Sequence, residues 1–171
     1  DKVIEIDPGM AFGTGTHETT GMCVELVEKY VRPGDRIIDI GTGTGILAIA
    51  AAHMGAKPVL ATDLDAVAVR VAAENVKING FGDVIDVRCG DLLEVVHESA
   101  DVVIANIISD VIIMLAKPVR QRIVDNGLFI CSGIIKEREQ DVVDALTKAD
   151  YTILKISRKG EWVAMLSRRH D

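Results

Sequence analysis

The chain has 171 residues, 49% hydrophobic and only 4% aromatic, with 19 basic against 26 acidic side chains and a net charge of −7. That length suits one domain able to bury roughly 68–70% of its unfolded surface, and the aliphatic content excludes disorder. The longest apolar run, Ile46–Ala52, has seven residues, far short of the roughly 20 needed to span a bilayer.

The acidic balance argues against a basic nucleic-acid face, so neither direct nucleic-acid binding nor membrane association is expected. No positively charged leader followed by an apolar stretch opens the chain at Asp1, so no signal peptide is expected. Cys23, Cys89 and Cys131 are odd in number and far apart. They offer neither a disulfide framework nor a zinc spacing. All three read as small core or near-core residues in a reducing, cytoplasmic setting.

In chain order, Cys23, Leu26, Val27 and Tyr30 recur at helical spacing with Glu25, Glu28 and Lys29 opposite, which predicts an amphipathic helix. Asp35–Ile40 reads as a strand ending in a glycine cluster, followed by a short helix over Gly45–His53. Pro58–Thr62 is a second strand. Asp65–Asn79 is a helix with Asp65 as N-cap and Gly80 as its C-terminal stop. Val84–Cys89 and Asp101–Ala105 are strands, Ser109–Ile123 a helix, Gly127–Ser132 a strand and Lys136–Ala149 a helix. Tyr151–Ser157 and Glu161–Arg168, separated by Arg158, Lys159 and Gly160, have hairpin spacing.

Nearly continuous apolar runs mark strands buried on both faces, and strand–helix alternation predicts a parallel sheet covered by helices. The expectation is a seven-stranded, mostly parallel sheet with a C-terminal antiparallel hairpin, in one domain over 1–171. Residues 1–20 are expected to form an N-terminal loop.

After the first strand come Gly41-Thr42-Gly43-Thr44-Gly45. Glycines at a strand-to-helix turn let a ligand approach the backbone at the carboxyl edge of the sheet. The dinucleotide pattern G-x-G-x-x-G fails because its sixth position is Ile46, and the Walker pattern fails for want of a lysine. G-x-G-x-G is instead the spacing of class I Rossmann-like S-adenosylmethionine-dependent methyltransferases, although a tight structural turn explains it too.

Asp63 ends the second strand, 22 residues after Gly41, where a carboxylate accepts hydrogen bonds from ribose hydroxyls. Asp91, after Gly90, is placed to receive an adenine amino group, or is simply a turn residue. Asn106 ends the fourth strand at the same edge, beside the methyl end of such a donor. The candidate donor-binding residues from these positions are Gly41, Gly43, Gly45, Asp63, Asp91 and Asn106.

The run Asp7-Pro8-Gly9-Met10-Ala11-Phe12-Gly13-Thr14-Gly15-Thr16-His17-Glu18-Thr19-Thr20 resembles the signature of the PrmA family, methyltransferases of the large-subunit ribosomal protein L-eleven. Ile38–Gly41, Ile46–Ala51, Asp63-Leu64-Asp65, Ala105-Asn106-Ile107, Gly133-Ile134 and Glu161-Trp162 continue the match across the whole chain. The resemblance implies that Thr20, Gly41, Asp63 and Asn106 hold the donor, which leaves as S-adenosylhomocysteine. It implies methylation of lysine and/or N-terminal amines of a basic ribosomal protein. It also implies a separate N-terminal substrate-recognition domain, expected to be missing from this catalytic domain. The threonines at 42 and 44 and Glu18 depart from the usual family residues.

Methyl transfer asks for alignment more than for acid–base power, so no strong base and no metal are expected. Asn106 is the candidate catalytic residue, its side-chain carbonyl bonding the incoming amine. Ile107 and Ile108 after it argue against flat amide or base acceptors. Phe12 with Gly13–Thr16 forms either a lid or a core contact, and His17 reads as a brace for the first helix. His53, His97 and His170 read as helix-end or surface residues, and Tyr151 and Trp162 as sheet packing. Arg168-Arg169-His170 reads as a solvated basic tail. The competing readings are a nicotinamide oxidoreductase, a non-catalytic donor-binding domain, and a methyltransferase of another lysine or a small amine.

Overall fold

The computed structural model describes residues 4–5 and 17–170. The Asp7–Thr16 signature, with Phe12 and the Gly13–Thr16 stretch, therefore lies outside the described residues, as does the His17 side chain. Helix α1 spans His17–Tyr30, so positions 17–20 of the expected loop are already its first turn. Its apolar stripe buries Met22, Cys23, Leu26 and Val27.

Strands β1 (Ile37–Ile40), β2 (Val59–Asp63), β3 (Ile85–Cys89), β4 (Ala100–Asn106) and β5 (Ile123–Ile135) run parallel. With β6 (Tyr151–Lys159) and β7 (Trp162–Arg169) they form one sheet in the order β3-β2-β1-β4-β5-β7-β6. Strand β7 is antiparallel to both neighbours. The seven-stranded, mostly parallel α/β fold read from the sequence is the one observed.

Helices α2 (Ile46–His53), α3 (Ala66–Ile78), α4 (Leu92–Val95), α5 (Ser109–Arg120) and α6 (Glu139–Lys148) complete the chain. One core layer joins α1 and α2 to the sheet through residues such as Leu26, Ile49 and Ile104. The other joins α5 and α6 through Ile112, Val119, Val142 and Leu146, packed on Phe129 and Val103. Helix α2 is wedged in tightly, with Leu47 to Ala52 all buried, which explains its run of small and aliphatic side chains. Asp65 caps α3 by accepting the Val67 N–H at 2.9 Å, worth about 1 kcal/mol. Gly80, at φ +79°, follows the end of that helix as expected.

Several expectations need correction. Helix α5 stops at Arg120, where the Gln121 and Arg122 N–H groups turn back to the Pro118 and Val119 carbonyls in a tighter closing turn. Ile123 is instead the first residue of β5 and pairs with Ala100. The ladder then shifts register around Asn126, at φ +64°, and resumes at Leu128. The hairpin turn is tighter than predicted, with Gly160 and Glu161 alone between the strands. The short helix α4 had no periodic signal long enough to be seen. Cys89 is exposed, not near the core, because edge strand β3 is covered less completely than the central strands. Arg169 is not part of a solvated tail: it belongs to β7, and its guanidinium donates to the carbonyls of Ile123 and Arg120.

Candidate active site

The carboxyl ends of β1, β2, β3 and β4 meet at one edge, where parallel α/β sheets bind ligands. The turn after β1 takes left-handed backbone at Gly41 (φ +65°), Gly43 (+57°) and Gly45 (+88°). A Cβ on Gly41 would stand 2.7 Å from Ile107 Cγ2, so only glycine lets the loop pass β4. The Thr42 N–H donates to Thr62 O at 2.9 Å and the Gly45 N–H to Thr42 O at 2.9 Å. Asn75 Nδ2, from α3, donates to Thr44 O at 2.9 Å.

Asp63 ties this loop to the next one. Its Oδ2 accepts the Gly43 N–H at 3.0 Å and its Oδ1 the Asp65 N–H at 3.0 Å. Two backbone bonds fix the carboxylate, and a carboxylate with about four acceptor sites keeps capacity for two hydroxyls. Leu64, between the two acids, is 77% exposed and offers an apolar face at the same edge. The Gly90 N–H donates to Asp63 O at 2.9 Å, which brings exposed Asp91 beside this rim. The Asp91 carbonyl accepts from Glu94 and Val95 N–H at 3.0 Å each, so Asp91 also opens α4.

Across the edge, Asn106 Nδ2 donates to Thr20 Oγ1 at 3.5 Å, joining β4 to the first turn of α1. A second tie runs parallel to it, Ser132 Oγ donating to Thr19 O at 3.0 Å. Ser132 is the register partner of Asn106. Gly133, at φ +84°, leaves the space in which Asn106 sits. Thr20, Gly41, Gly43, Gly45, Asp63, Asp91 and Asn106 thus gather along one sheet edge.

Asp39 was not singled out from the sequence. It is fully buried in β1 between Ala61 and Ile104, and accepts the Thr42 hydroxyl at 2.7 Å through Oδ2. Burial raises its pKa to about 7; the Thr42 hydroxyl and the Ala48 N–H pull it back, and Asp63 adds to the rise. The available signal was a single acid inside an otherwise aliphatic buried strand, since such acids are rarely fully buried without a reason. Leu64 and Gly133 entered the sequence reading only as positions that match the family, with no role assigned to either.

This geometry can take a nucleoside by its ribose and ring, with a chain running over the glycines toward Asn106. The family model described as "Ribosomal protein L11 methyltransferase (PrmA)" matches residues 1–170. A ribosomal protein L11 methyltransferase from Alkaliphilus oremlandii (strain OhILAs) is 49% identical over 168 residues, covering 98% of this chain. The chain spans 54% of that relative's length, about half.

The crystal structure of ribosomal protein L11 methylase from Lactobacillus delbrueckii subsp. bulgaricus superposes with a TM-score of 0.92 at 34% identity. That match covers 99% of this chain and 86% of the other. An RNA methyltransferase from Salinibacter ruber, solved in complex with S-adenosyl-L-homocysteine, shares the fold at TM-score 0.72 and 20% identity. It covers 92% of this chain and 94% of its own. With its glycine turn, its strand-end acid and asparagine, and a family match along almost its entire length, the chain belongs to the PrmA family of ribosomal protein L11 methyltransferases.

Proposed function

We propose that the chain binds S-adenosylmethionine at this edge and transfers its methyl group to an amine of a ribosomal protein. The acceptor is a lysine side chain and/or the N-terminal amine of protein L11. The observation that carries this reading is the assembly of Gly41–Gly45, Asp63 and Asn106 on one edge, with Thr20 closing over Asn106. Asp63 would hold the ribose hydroxyls, Leu64 and Asp91 the adenine, and the glycine loop the amino-acid portion. Bound there, the donor supplies an activated methyl group on a sulfonium that needs no further polarisation.

The protein's part is therefore positional. Holding an amine in line with the methyl–sulfur bond is worth roughly 7–11 kcal/mol. A lysine must first lose a proton, at a cost of about 4.6 kcal/mol at neutral pH from a reference pKa of about 10.4. Desolvation at the site lowers that cost by disfavouring the ammonium. The Asn106 side-chain carbonyl accepts one amine N–H and so points the nitrogen lone pair at the methyl carbon. The net charge of −7 favours encounter with a basic ribosomal protein in the cytoplasm. No helix among the described residues is long and apolar enough to cross a membrane.

The test is radiolabelled methyl transfer from S-adenosylmethionine into a ribosome-containing lysate lacking its own enzyme, with this chain and a full-length relative in parallel. Label in one small ribosomal protein with both supports an acceptor found by this domain unaided. Label with the longer protein alone assigns recognition to the part of the relatives that this chain does not span. Donor binding without label in either case rejects the ribosomal acceptor.

A further inference from the structure

The stretch of chain at Glu5 is clamped to α3 by one side-chain amide. The Glu5 N–H donates to Asn79 Oδ1 at 3.0 Å, and Asn79 Nδ2 donates back to Glu5 O at 2.7 Å. The same Nδ2 donates to Asn75 O at 2.7 Å, one turn earlier on the helix. Asn75 is fully buried, and its own Nδ2 reaches Thr44 O in the glycine turn at 2.9 Å. Two asparagines on one face of α3, at i and i+4, thus connect Glu5 to the loop between β1 and α2.

Every bond in this series ends on backbone. Asn79 takes both the N–H and the C=O of Glu5, as a neighbouring strand would, and Asn75 takes a loop carbonyl. Ile4 packs beside the clamp, against the core layer that contains α2. At the other end, a Cβ on Gly45 would stand 3.4 Å from Ala72, so α3 also props the turn one residue past Thr44. Asp63 holds Gly43 from β2 while Asn75 holds Thr44 from α3. The turn is therefore fixed from two elements, and one of them is tied to Glu5.

We propose that Asn75 and Asn79 are positioning residues for the donor: fastening Glu5 to α3 presets the glycine turn, so the backbone at Glu5 governs donor affinity through the helix. This rests on the donor reading above. The physical ground is the end of α3. Asn79 is its C-cap, and helix ends fray. Without the Asn79 amide, the closing turn keeps only the Asn79 N–H on Asn75 O, at 3.1 Å. Asn75 then loses the rigid backbone that aims its side chain at Thr44, and the turn loses its tie to α3.

Titration calorimetry with S-adenosylmethionine tests this on the wild type, Asn75→Ala, Asn79→Ala, their double variant and Glu5→Pro, each below its melting transition. Glu5→Pro removes one N–H from an exposed residue and changes no atom of α3, so it serves where a helix variant does not fold. Donor affinity should fall roughly 10-fold in Asn75→Ala, and about 3- to 5-fold in Asn79→Ala and in Glu5→Pro. In the Asn75→Ala background, Asn79→Ala should add no further loss. Turnover at saturating donor should change far less than affinity. Amide hydrogen exchange supplies a readout without ligand: the Gly43 and Gly45 N–H groups should exchange faster in Asn79→Ala and Glu5→Pro.

A lowered melting temperature with unchanged donor affinity in Asn79→Ala and Glu5→Pro makes the clamp structural only and overturns the proposal. Losses that multiply in the double variant overturn it too, because Asn79 then acts by a route other than Asn75. If the wild type binds no donor, the donor reading falls, and exchange at the glycine turn still decides whether Glu5 is coupled to it.

Discussion

A Cβ added to Gly133 would lie 3.1 Å from Asn106 Oδ1 and 2.7 Å from Ile107 O, so the bend in β5 leaves the space that Asn106 occupies. Gly133→Ala must overcome both that overlap and a φ of +84°, at about 1–3 kcal/mol. The expected outcome is a lowered melting temperature together with turnover reduced more than donor affinity. Calorimetry and a methyl-transfer assay on the same preparation read the two separately.

Asn106→Ala removes the group assigned to orient the amine. Turnover should fall about 10²-fold, the scale of losing one well-placed polar group at a reacting centre. Donor affinity should change only a few-fold, because Asp63 and the glycine loop remain. Unchanged turnover with intact donor binding would remove Asn106 from the mechanism.

Asp63→Asn keeps an acceptor for the Gly43 or Asp65 N–H but loses the charge. Hydrogen bonds to a charged group contribute about 1.5–3 kcal/mol, so donor affinity should weaken roughly 10- to 100-fold. Isothermal titration with S-adenosylmethionine and with S-adenosylhomocysteine should show the same loss for both, since both carry the ribose.

Asp39 also gives the unliganded fold a pH signature. Its folded pKa, about 7, lies above its unfolded value of 3.8. The stability it permits is therefore fully present below about pH 4 and is lost progressively as pH rises through about 7. Urea unfolding at a series of pH values should show a component that declines over this window in the wild type and is absent in Asp39→Asn.

Tyr151, buried against α5, donates its hydroxyl to Ala116 O at 2.7 Å. Tyr151→Phe leaves that carbonyl without this donor and should cost about 1 kcal/mol, with methyl transfer at permissive temperature unaffected. Chemical denaturation midpoints check it.

The parallel core was legible because β1, β2 and β4 are buried almost end to end, and burial on both faces favours aliphatic residues, Asp39 and Thr62 being buried exceptions. Asp63 and Asn106 could be placed because each ends such a strand, where the sheet edge begins. What stayed hidden depends on neighbours distant in sequence. The start of β5 at Ile123 is set by its pairing with Ala100, and the run ahead of it looked helical. Arg169 reads as a charged tail until the Arg120 and Ile123 carbonyls are brought to it. Asp39 went unremarked because what marks it, the Thr42 hydroxyl and the nearby Asp63 carboxylate, comes from residues further along the chain.

Strand β7 is last in the sequence but sixth in the sheet, bonded on one side to β5 and on the other to β6. Val163, Ala164, Met165 and Leu166 carry the interior at that point. As the chain is synthesised, β6 therefore emerges before the strand it must pair with exists. A chain ending at Gly160 would lose two of seven strands by omitting its final eleven residues. One strand thus holds two to the sheet: without β7, β6 has no partner left in it.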